Sequence, residues 1–424
     1  MTLPPDHSGP LARKTVLPNG VRVLTERLDH VDSVSLGLWS ASGSHNDPPG
    51  SEGVTHFLEH MLFKGTTTRS TLQIAEAIDD IGGNVNGVTD REDVCLYART
   101  SSEQTEAALE LLFDMMLNSV CAEEDVARER EVVLQEIGHL SDSAEDWMHE
   151  LVPQTTWPDH PLGRPLLGTR ESVGAIRCEA LRDYLAEELQ AAGRLLVAAA
   201  GRVDHDRIVE MTERFAARLT PGRPRQDQPG PQFHAQCRYF PQPGSQVHFC
   251  WVSPGVSRTD EARHAFAALD TLLGGGSSSR LFQEIRENRG LAYGIGSYLQ
   301  AYRESGLFVI AAGTSPGNFE LVLDLIGQEV KRLCEEGPTG EELARAKMQL
   351  RVGLALATES TGFRMQHIAT SEIYTGRVVS FEDMVAGVER VTAEDVHQLA
   401  CGSFEEGKQA LVAIGPFDRD GRAR

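Results

Sequence analysis

The 424-residue chain has no apolar run long enough to span a membrane. Its first residues, MTLPPDHSGPLARKT, lack the apolar core of a secretory signal and the Arg/Ser-rich amphipathic pattern of a transit peptide. These absences predict a cytoplasmic protein without a membrane partner. Paired cysteines are also missing. The seven cysteines are odd in number and no two have C-x-x-C spacing. They read as reduced thiols in a reducing compartment, which excludes a cysteine-based metal site. Positive charge is in deficit. A net charge of −22 repels a phosphate backbone and excludes a nucleic-acid partner, while remaining compatible with cationic peptides.

What is present is an ordinary folded composition, 40% hydrophobic and 24% charged, at a length that suits two or three domains. VLPNGVRVL (16 to 24) reads as two short strands around a turn, and SVSLGLWSA (33 to 41) alternates as a half-buried strand. A helix from about 53, a second over 71–81 stopped by Gly82-Gly83, strands near 84–90 and 93–100, two more helices and the buried strand LLVAAAG (195 to 201) follow. Residues 219–235 are rich in Pro, Gly and Gln and form the best linker. The second half then repeats the order, from SQVHFCWVS (245 to 253) to the closing strand ALVAIG (410 to 415). The pattern predicts an α+β fold of two duplicated domains, each about 200 residues of mainly antiparallel sheet packed with helices, at 14–218 and 236–416.

The segment His-Phe-Leu-Glu-His, 56 to 60, carries the clearest chemistry. On a helix His60 lies about 40° from His56, and Glu59 about 60° to the other side. Two imidazoles four apart can hold one metal ion, and the carboxylate between them can work on a water. This is the H-x-x-E-H order, the reverse of the commoner H-E-x-x-H. Alone, it leaves an ordinary helix with two histidines equally open.

A third ligand would decide. REREVVLQE (128 to 136) offers Glu129 and Glu136, about 20° apart on a helical wheel and on or beside its apolar face. A carboxylate there needs a partner, which a metal, an arginine or a helix N-terminus could each supply. GGGSSSR (274 to 280) lacks the G-K-[ST] of a phosphate loop and sits between two helices, so nucleotide binding is rejected.

HFLEHMLFKGT (56 to 66) resembles the zinc helix of the pitrilysin and mitochondrial-processing-peptidase family almost letter for letter. GGNVNGVTDREDVCLYA (82 to 98), HPLGRPLLGT (160 to 169) and GGGSSSRLFQEIRENRGLAY (274 to 293) are further matching blocks, and the resemblance runs from residue 14 to 415. The likeness is to the short bacterial members.

The resemblance implies a metalloendopeptidase with one Zn²⁺ per chain, cutting peptides or unfolded segments. His56, His60 and Glu136, 76 positions beyond His60, become the metal ligands. Glu129 supports them, and Glu59 becomes the general base on a zinc-activated water. Arg286 and Tyr293, seven apart, take the family's positions for a pair that reaches the scissile peptide from a partner subunit, which implies a homodimer. Asn86 takes the place of a substrate-binding residue on an edge strand, with Gly87 where the family usually has alanine. Asp146 and Glu150 fall where processing peptidases hold an arginine near the cut; a solvated acidic helix face is the other reading. A non-catalytic partner subunit of a heterodimeric peptidase is the alternative function, disfavoured by the intact ligand set.

Overall fold

A computed structural model describes residues 12–219, 229–418 and 421–423. Most of the expected linker lies outside these residues, and 229–235 have no regular structure. Contacts divide the chain into two compact units that exchange segments. The first takes the chain up to Ile137, the stretch from Leu166 to the linker, and Ala357–Val379. The second takes Gly138–Pro165, the chain from the linker to Leu356, and Ser380 onward. This differs from the contiguous division at 14–218 and 236–416.

The first unit is built on a six-stranded sheet of β1 (Ala12–Val16), β2 (Arg22–Arg27), β3 (Ser33–Ser40), β4 (Asn84–Thr89), β5 (Val94–Ser101) and β6 (Leu195–Gly201). Its order is β1-β2-β6-β3-β5-β4, with β2 and β6 parallel and every other pair antiparallel. The second unit holds β7 (Cys237–Pro241), β8 (Val247–Gly255), β9 (Ala292–Ala301), β10 (Gly306–Thr314) and β11 (Ala410–Gly415), in the order β7-β11-β8-β10-β9. Replacing β2 to β6 by β7 to β11 converts one order into the other, and β7 and β11 are again the parallel pair. The duplicated α+β architecture predicted from element order is therefore present strand for strand, with β1 as an addition to the first sheet.

Each sheet is covered on both faces. One face of the first packs a large core that includes Phe57, Leu58 and Met61 of the Val54–Met61 helix and Val126, Val133 and Ile137 of the Glu123–Asp142 helix. The other face, with Leu24, Trp39, Leu196, Ala198 and Ala200, is closed by Met365, Ile368, Ala369 and Ile373 of the Thr361–Thr375 helix. In the second unit Met148, Leu151 and Val152 of the Ala144–Thr156 helix close the face formed by Cys250, Val252, Val412 and Ile414. These two helices are the exchanged segments. Among the described residues no helix is long and apolar enough to cross a membrane. The seven cysteines are all free.

Candidate metal centre

The Val54–Met61 helix sets the site. Val54, Phe57, Leu58 and Met61 recur at helical spacing and are buried, which fixes the rotation of the helix and turns residues 56, 59 and 60 to another face. Its start is equally constrained. Gly53 has φ +90, and a Cβ there would stand 2.4 Å from the Leu167 carbonyl oxygen, so only glycine fits. Gly53 has no side chain to cap the helix, and Asp47 does so from the preceding loop. Its carboxylate accepts from Gly53 N at 2.7 Å and Thr55 N at 3.3 Å, and from the Thr55 hydroxyl.

Three side-chain atoms converge beside this helix. Glu136 Oε2 lies 3.7 Å from His56 Nε2 and 3.5 Å from His60 Nε2. For tetrahedral coordination at zinc–nitrogen and zinc–oxygen lengths, neighbouring ligand atoms should stand about 3.3–3.4 Å apart. The observed separations fit a zinc ion within a few tenths of an ångström. His56, Glu59 and His60 also each offer a donor atom within 4.8 Å of one another. Burial, with repulsion from His60, pushes His56 down to about 4, leaving it neutral near pH 7 with a lone pair to offer. The Glu136 carboxylate holds His60 above its ordinary range, and His60 in turn holds Glu136 below the usual carboxylate range. Burial raises Glu59, the direction required of a proton acceptor that later donates.

The outer partners are unequal. His60 Nδ1 meets Glu129 Oε2 at 3.3 Å, and Glu129 Oε1 accepts from Lys64 Nζ at 2.8 Å. His56 Nδ1 is buried without a hydrogen-bond partner among the described residues. Glu129 is as buried as its place in the helix predicts, with 8% of its side chain exposed. Glu136, at the rim of the same stripe, is 45% exposed.

Glu59 points at the edge of the sheet. A Cβ built on Gly87 of β4 would stand 2.3 Å from Glu59 Oε1, so the carboxylate rests against that glycine. β4 ends the sheet order, pairing with β5 through Asn86↔Tyr97 and Gly87↔Leu96. Asn86 is exposed, and its Oδ1 accepts from Gly87 N at 2.9 Å.

The structure thus brings His56, Glu59, His60, Glu129, Glu136 and the Asn86 strand together in the first unit. The remaining expected residues belong to the second. Arg286 lies between two rings, its guanidinium 4.7 Å from the Phe282 centroid and 5.5 Å from that of Tyr293. Tyr293 is 84% exposed. Asp146 is exposed and Glu150, one turn further along the same helix, is buried. Lys64 and Asp47 escaped the sequence reading. An ammonium one helical turn beyond His60 and a carboxylate just ahead of the helix were the available signals.

A duplicated α+β scaffold thus frames an inverted His-x-x-Glu-His cluster and a carboxylate from a second helix as a candidate metal site. Residues 22–170 match the family model for insulinase, peptidase family M16, and residues 175–350 match the M16 inactive-domain model. An uncharacterized zinc protease of Streptomyces coelicolor is 38% identical over 97% of this chain and 91% of its own. One of Bacillus subtilis is 33% identical over 96% and 98%. Among solved structures, a peptidase M16 inactive domain from Pseudomonas fluorescens aligns at TM-score 0.89 and 22% identity over 96% of this chain and 98% of that one. A protease from Helicobacter pylori aligns at 0.89 and 19% over 96% and 99%, and both show the shared fold. The chain belongs to the pitrilysin, or M16, family of zinc peptidases.

Proposed function

We propose that the protein is a zinc metalloendopeptidase that hydrolyses peptides or unfolded segments, with one zinc per chain held by His56, His60 and Glu136. The observation that carries this reading is Glu136 Oε2 standing 3.5 and 3.7 Å from the Nε2 atoms of His60 and His56, next to a carboxylate facing an edge strand. Bound zinc would supply Lewis-acid chemistry, acidifying a water and polarising the scissile carbonyl. Glu59 takes the water's proton and passes it to the leaving amine; its burial suits it to both roles. The outer edge of β4 accepts the substrate as an added strand, so main-chain hydrogen bonds bind it with little demand on sequence. Asn86, exposed on that strand, contacts the substrate. Arg286 and Tyr293, a half-buried guanidinium against an exposed phenol ring, steady the charge that develops on the carbonyl oxygen. They reach it from the partner subunit of a homodimer acting in the cytoplasm. Asp146 offers an exposed carboxylate to an arginine of the substrate.

Glu59→Gln tests the reading. The variant should bind zinc as the wild type does and lose peptide cleavage. Near-normal turnover would overturn the assignment of the base, and failure of the pure wild-type chain to bind zinc would overturn the metal centre.

A further inference from the structure

We propose that Lys64 is a positioning residue of the metal centre, acting through Glu129 to hold His60 in its ligating tautomer. The inference rests on the ligand set above and concerns a residue outside it.

Glu129 is buried and divides its oxygens. Oε1 receives the Lys64 ammonium at 2.8 Å, and Oε2 faces His60 Nδ1 at 3.3 Å. For His60 Nε2 to offer a lone pair towards His56 Nε2 and Glu136 Oε2, its one ring proton must sit on Nδ1, donated to Glu129. That requires the Glu129 carboxylate to be fixed with one oxygen turned to the ring. Lys64 Nζ holds Oε1 at 2.8 Å, which leaves Oε2 to face His60 Nδ1. His56 has no equivalent anchor, since its Nδ1 lacks a partner among the described residues. Of the two imidazoles, it is His60 that is anchored from outside, through Glu129 and Lys64.

The test is zinc affinity, measured by chelator competition on the purified full chain without reference to turnover. Lys64→Met should weaken zinc binding about 10- to 100-fold, the range for outer partners of metal ligands, and Lys64→Arg should restore most of the loss. In a Glu129→Gln background Lys64→Met should add nothing, because its route to the metal is already cut. Thermal unfolding of the metal-free proteins separates this role from a plain ion pair between helices, which would lower stability and spare affinity. If Lys64→Met does not fold, Lys64→Gln serves with the same expectation. Affinity within threefold of wild type, or losses that add in the double variant, would overturn the proposal. Because no peptide is cleaved in the assay, it can fail while the Glu59 test succeeds, and the reverse.

Discussion

Shortening Glu136 by one methylene is the sharpest probe of the metal centre. Its Oε2 is 3.5 Å from His60 Nε2 and 3.7 Å from His56 Nε2, already at the outer limit of a tetrahedral edge. Glu136→Asp keeps the charge but withdraws the carboxylate by about 1.5 Å, the length of one carbon–carbon bond. An oxygen about 5 Å from the imidazole nitrogens cannot share an ion whose bonds are about 2.0–2.2 Å long. The variant should then lose one of three protein ligands. Loss of an outer partner alone costs 10- to 100-fold in metal affinity, so loss of a ligand should exceed about 100-fold, or about 2.7 kcal/mol. Chelator competition measures the change, and zinc content after gel filtration should fall well below one per chain. Glu131→Asp, an exposed position on the same helix, is the control and should bind as the wild type does. Zinc affinity of Glu136→Asp within threefold of wild type would refute the reasoning.

Three further outcomes are expected. Gly87→Val would drive a side chain into the space of the Glu59 carboxylate, since even a Cβ would stand 2.3 Å from its Oε1; peptide turnover should collapse while zinc content stays at wild-type level. Ile368→Ala should destabilise the protein by about 2–5 kcal/mol in urea unfolding, because Ile368 is 1% exposed in the cluster that closes the first sheet. Mixing Glu59→Gln chains with Arg286→Ala chains, each inactive or impaired alone, should restore cleavage if the Arg286 of the partner subunit serves each zinc set; no gain on mixing would count against a shared site.

The sequence shows the helix of the metal cluster clearly because two constraints coincide there. The buried residues recur every three or four positions, and the chemical residues fill the positions between them. The Glu123–Asp142 helix is nearly as legible, with Val126, Glu129, Val133 and Ile137 buried on one stripe. The exchanged helices were not. Periodicity reports that one face of a helix is buried but carries no address for the sheet that buries it. Thr361–Thr375 therefore looks like any helix of the second half, although it closes the first sheet. Strand β7 was missed for a different reason: four of its five residues are exposed, so it has no alternation to read. The Lys64–Glu129 contact joins residues 65 positions apart, and such pairings become visible only when two helices are laid side by side.

The duplication also gives the candidate metal centre a counterpart at the edge of the second sheet. In both units a helix sits between the second and third strands of the repeat and packs on the edge strand, Val54–Met61 on β4 and Arg263–Leu273 on β9. Each helix turns a carboxylate towards its edge. In the first unit the strand answers with Gly87, which has no side chain to meet Glu59. In the second, Ser297 of β9 donates its hydroxyl to Asp270 Oδ1 at 2.6 Å, while burial lifts Asp270 to about 6. The two carboxylates share the burial that raises an acid's pKa. One is held by a fixed donor, and RHAFAALDTLL supplies no histidine pair in H-x-x-E-H spacing beside it. On the proposed reading, the first edge differs by having the carboxylate unclaimed by its strand and a ligand set within reach.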